Sequence, residues 1–229
     1  MSRRKIAVTV GILFVVQMVT AMVGTSLIQA FVDGDTDRAP LTTGVVLMLC
    51  SGVAVAGIGL LMYPVLKDVS RRLAFWYPVL RVVELAVSAG CGIYLLTQLE
   101  VVSNHLLWVY IPTGLGGLVL TYLLFAGRLV PRPIAVLGFV GYLWLTVGVP
   151  LDFLGVLDLN AGPGLVLLAP GGLFEFVVLP TWLIAKGFAL PVPALEAVSG
   201  WRGRGVAGDQ GGGELDLDRR AVPVGDSVQ

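Results

Sequence analysis

The chain has 229 residues, 56% of them hydrophobic and only 13% charged, with a mean hydropathy of +0.89. A soluble domain carries about 25% charged residues, so this composition excludes an ordinary soluble domain and points to the membrane class. Fifteen basic residues balance fifteen acidic ones, so no net basic excess argues for a nucleic-acid partner.

The two cysteines, Cys50 and Cys91, stand apart inside apolar runs and form neither a disulfide framework nor a metal motif. They read as small packing residues. The single histidine, His105, cannot build a zinc site alone. It reads as an interfacial polar residue beside Trp108 and Tyr110. No metal and no cofactor is expected.

In chain order, Ser2-Arg3-Arg4-Lys5 leads into an apolar run over about 6–28. That run is long for a signal peptide and lacks a good cleavage site, so it is expected to stay as a first helix. An acidic loop with Asp33, Asp35 and Asp37 follows. Its alternate acids lack the glycine and the distal glutamate of a calcium loop, so it reads as a solvated loop.

A second helix, about 41–66, is rich in small residues (Gly44, Ser51, Gly52, Ala54, Gly59), which let backbones approach closely in lipid. After a basic loop, Lys67 to Arg72, a third helix is expected over about 73–99. A fourth covers about 106–125, opening on interfacial aromatics. Pro131 and Pro133 separate it from a fifth, about 134–151. The turn chemistry of Asp158 to Gly164 leads to a sixth over about 165–189.

Residues 197–229 read as a disordered tail, rich in Gly, Arg and Asp. Gly203, Gly205 and Gly208 fit GxGxxG there, but no strand precedes them and no helix follows, so a dinucleotide site is rejected.

The fold class expected is therefore all-α: a polytopic membrane helix bundle of six transmembrane helices in residues 1–192. Lys and Arg concentrate on alternate loops: Arg3, Arg4, Lys5, Lys67, Arg71, Arg72, Arg128, Arg132 and Lys186 fall on one side, with Arg202 and Arg204 of the tail. The other side has only Arg38 against several acids. The positive-inside rule places the basic side, with both termini, in the cytoplasm.

Three charges lie deep in apolar runs: Arg81 and Glu84 in the third helix and Glu175 in the sixth. Arg81 and Glu84 are three apart and share a helix face. Counted from the basic ends at 1.5 Å per residue, Glu84 and Glu175 both lie roughly 16–17 Å deep, near the midplane of a core about 30 Å thick. All three can meet in one cluster.

The favoured reading is a structural ion pair in which Arg81 bridges the two glutamates. The alternative starts from the imbalance of one arginine against two carboxylates. One carboxylate is then left to hold a proton or a cation, as in a small proton- or cation-coupled transporter using Glu84 and Glu175 and built as a homo-oligomer. Pro170, Gly171 and Gly172 lie about one turn from Glu175 and are the candidate helix break such a site would use. A third reading is an intramembrane enzyme acting on lipid, but no nucleophile–base pair is evident. The expectation is a non-enzymatic protein whose one evident partner is the lipid bilayer; the sequence names no protein partner.

Leu167-Leu168-Ala169-Pro170-Gly171-Gly172-Leu173-Phe174-Glu175-Phe176, followed by Trp182-Leu183-Ile184-Ala185-Lys186-Gly187-Phe188, resembles the closing signature of a bacterial membrane-protein family, domain of unknown function 4386 (DUF4386). Leu80-Arg81-Val82-Val83-Glu84 resembles that family's arginine–glutamate helix. Leu129-Val130-Pro131-Arg132-Pro133-Ile134-Ala135-Val136-Leu137-Gly138 resembles its proline–arginine loop. The resemblance covers about Lys5 to Leu190. It implies a six-helix integral membrane protein and carries no assigned activity; the location expected is the bacterial cytoplasmic (inner) membrane.

Overall fold

The computed structural model describes residues 2–34, 37–102, 104–159 and 162–189. Among these residues there is no strand. The helices are α1 Arg3–Val32, α2 Arg38–Leu66, α3 Arg71–Gln98, α4 His105–Ala126, α5 Arg132–Phe153, α6 Gly162–Leu173 and α7 Leu179–Ala185, with a π turn at Phe174–Val178 joining the last two. Among the described residues six spans are long and apolar enough to cross a membrane, α6, the π turn and α7 together making the sixth. The shortest have 22 residues, which rise about 33 Å and clear a hydrocarbon core of about 30 Å. The expected tail at 197–229, its glycine motif, Asp35 and Leu190 lie outside the described residues.

Local chemistry sets the helix ends. Ser2 caps α1 by accepting from the Lys5 amide at 3.3 Å. Asp37 caps α2 by accepting from Ala39 at 3.1 Å. α5 begins at Arg132 directly after Pro131, with Pro133 in its first turn, where a missing N–H removes no helical bond. α5 runs to Phe153, beyond the 134–151 expected. The sixth span ends at Ala185 rather than near residue 189.

Consecutive helices pack side by side, α1 on α2 through to α5 on α6, and α7 returns to α1. The helices thus form a closed ring. The sixth span leans across the closure: α6 lies on α5, α7 lies on α1, and the π turn touches both. At one end of the ring Arg3 pairs with Asp68, and Arg4 Nη2 donates to the carbonyls of Ile184 (2.7 Å) and Ala185 (3.3 Å). Those carbonyls close α7 and have no amide ahead of them, so a cation there is favourable. The Ala189 amide donates to Leu129 O at 2.9 Å at the same end. This is the basic end.

The interior holds Phe14, Met62, Leu120, Leu124, Phe174 and Leu183, all buried. The outward faces are apolar as well: Val53, Leu60, Phe75, Ile93 and Val166 are all more than half exposed. A soluble monomer does not carry apolar surface on every helix, whereas lipid requires it. The small residues of α2 sit where the sequence suggested: Gly44 against Gly24 of α1, and Gly52 and Gly59 against Leu85 and Arg81 of α3.

Candidate functional site

Tyr77, Arg81 and Glu84 follow one another at i, i+4 and i+7 on α3, and all three face inward. Arg81 lies in a slot made by glycines. A methyl at Gly59 of α2 would stand 3.1 Å from Arg81 Cβ, and one at Gly116 of α4 would stand 3.6 Å from Arg81 Nε. Within the slot Arg81 Nη1 donates to Glu84 Oε2 at 2.7 Å, and the guanidinium lies 5.3 Å from the centre of the Tyr77 ring.

α5 contributes Tyr142. Its ring occupies the space that a side chain at Gly117 of α4 would fill. It meets Phe174 edge-on, with ring centres 6.1 Å apart at 78°. The Tyr142 hydroxyl donates to Glu175 Oε1, and Arg81 Nη2 approaches the same hydroxyl at 3.5 Å.

Glu175 comes from the π turn. The Leu179 amide bonds back to Phe174 O, five residues earlier. Residue 180 would ordinarily donate to the carbonyl of 176 in α register, or of 175 in π register. Pro180 can do neither, so the ladder loosens at this point. The helix continues through Pro170, Gly171 and Gly172 to Leu173. Regular α geometry is lost one turn later, around Glu175 itself. Gly141 and Gly171 explain how α5 and α6 come close enough: a methyl at Gly141 would strike the Gly171 backbone.

The three charges expected to meet do meet. Arg81 Nη2 is 3.7 Å from Glu175 Oε1, and the side chains of Arg81, Glu84 and Glu175 are only 3%, 11% and 12% exposed. Arg81 therefore binds Glu84 by a charge-assisted hydrogen bond and reaches Glu175 only as a neighbouring charge. Two buried donors are left over. Arg81 Nε and the Tyr77 hydroxyl have no hydrogen-bond partner among the described residues, although that hydroxyl lies within electrostatic reach of Arg81, Glu84 and Glu175.

Tyr77 and Tyr142 join the site beyond the residues expected from the sequence. Both carried a readable signal. Tyr77 precedes Arg81 by one turn. Tyr142 falls mid-span, whereas tyrosines gather at membrane interfaces, so its hydroxyl needs an internal partner. Among the described residues no three His, Cys, Asp or Glu side chains converge on a metal-sized site. Cys50 and Cys91 are unbridged.

The family model described as domain of unknown function (DUF4386) matches residues 9–105. The DUF4386 match spans α1 to α3 and includes Tyr77, Arg81 and Glu84; Tyr142 and Glu175 lie beyond it. It is the family that the motifs resemble, over a shorter stretch than those motifs cover. Comparison with curated proteins and with solved structures found no match.

Proposed function

We propose that the chain is a multi-pass protein of the bacterial cytoplasmic membrane, with its basic end in the cytoplasm, and that the buried cluster is a brace. In this reading Arg81 and Glu84 on α3 lock through Tyr142 on α5 to Glu175 in the sixth span. The cluster thereby fixes the register of elements that lipid alone would not order. The observation that carries the reading is the 2.7 Å bond between Arg81 and Glu84, nearly enclosed by protein and joined to Glu175 through one hydroxyl.

Lipid supplies no hydrophobic drive between helices, so packing and polar contacts must set their order. Charges at mid-membrane persist where they are paired. The positive-inside bias supports the orientation, because Lys5, Lys67, Arg128 and Lys186 all stand at or beside helix ends that the fold gathers on one side.

Thermal unfolding in detergent tests the brace. Arg81→Met leaves the buried Glu84 carboxylate without its cation and is expected to destabilise by about 3–5 kcal/mol. A variant as stable as wild type would rule the brace out.

A further inference from the structure

The cluster holds one cation and two carboxylates, and the brace uses them unequally. Glu84 takes the guanidinium at 2.7 Å, while Glu175 stands 3.7 Å from it. The Arg81–Glu84 pair is neutral by itself. An ionised Glu175 would leave one net negative charge nearly enclosed by the bundle, an arrangement that a low-dielectric interior penalises. We propose that Glu175 carries one exchangeable proton, which makes the cluster a proton-binding site within the bilayer. This rests on the membrane-spanning reading above and goes beyond the brace.

The surroundings suit both protonation states. With the proton in place the site is charge-balanced, and the carboxyl accepts from Tyr142. Release breaks the carboxyl O–H bond, passes the proton to the aqueous phase and leaves a carboxylate. That carboxylate keeps the Tyr142 bond, and Arg81 Nη2 needs only a small approach to bond it. The Tyr77 hydroxyl and Arg81 Nε are also buried in the cluster, with no hydrogen-bond partner among the described residues.

The π turn places Glu175 at the interruption of regular helix in the sixth span, a geometry that recurs at functional sites. Among the described residues the titratable groups around Glu175 are few. α3 supplies Tyr77, Arg81 and Glu84, and α5 supplies Tyr142. The other charges of α5, Arg132 and Asp152, stand at its ends. α1 has only Arg3, Arg4 and Lys5 at its basic end, and neither α6 nor α7 has a charged residue.

The test is infrared difference spectroscopy of the full chain in lipid nanodiscs, titrated from mildly acid to alkaline pH. The expected result is a C=O stretch of a dry protonated carboxyl group that fades as pH rises and is lost in Glu175→Gln. Tyr142→Phe removes the donor to that carboxyl and is expected to shift the same band to higher frequency. This second variant keeps the test decisive if Glu175→Gln fails to fold. A band that survives Glu175→Gln, or is unmoved by Tyr142→Phe, or never fades, would overturn the proposal, as would the absence of any such band. Thermal unfolding of Arg81→Met reports on the brace separately, so either idea can fail without the other.

Discussion

The Tyr142 hydroxyl on α5 donates to Glu175, thirty-three residues further along the chain, and so ties the fifth span to the one irregular turn of the sixth. Removing that hydroxyl leaves a buried carboxyl without its donor. Tyr142→Phe is expected to lower stability by about 1–3 kcal/mol, the cost of stranding a buried polar group. Chemical or thermal unfolding in detergent reads this directly.

Glu175→Gln is expected to cost clearly less than Arg81→Met. An amide keeps the shape, stays neutral as a protonated carboxyl does, and still accepts from Tyr142. Equal losses in the two variants would mean that Glu175 is ionised in the folded bundle and pairs with Arg81 as Glu84 does.

Helix approach can be tested with two glycines. A methyl at Gly141 meets the backbone of Gly171, which cannot yield, so Gly141→Ala is expected to cost about 1–3 kcal/mol from overpacking. A methyl at Gly172 meets nothing within 4 Å. Gly172→Ala is therefore expected to be neutral, or stabilising by up to about 1 kcal/mol through higher helix propensity. Paired melting curves for the two variants suffice.

Arg3 and Asp68 also form an ion pair, but their side chains are 37% and 40% exposed. Solvent screens such a pair, so Arg3→Ala is expected to change stability by no more than about 1 kcal/mol. A large loss would show that the basic end is less accessible to water than its exposure indicates.

Much of this was legible in the sequence. Apolar runs with charged loops between them gave six spans, and the i, i+3 spacing of Arg81 and Glu84 put both on one face. Equal depth brought Glu175 to them. The π turn was less legible. Pro170, Gly171 and Gly172 drew attention as conspicuous helix breakers, yet an α-helix in an apolar environment carries through them. The decisive residue is Pro180, whose missing donor acts one turn upstream. Tyr142 was hidden because its importance depends on a partner thirty-three residues away and on the space left by Gly117, a tertiary coincidence with no local pattern.

Arg81 and Glu84 are expected to act as one unit holding the bundle. A double-mutant cycle in detergent, with Arg81→Met, Glu84→Leu and the two combined, measures this most directly. Arg81→Met leaves Glu84 unpaired and is expected to cost about 3–5 kcal/mol; Glu84→Leu is expected to cost less, because Glu175 can ionise and pair with Arg81. The double variant is expected to cost less than the sum by about 0.5–3 kcal/mol, the signature of residues in contact. Single losses within about 0.5 kcal/mol of zero, typical of an ordinary surface substitution, or losses that simply add, would contradict it.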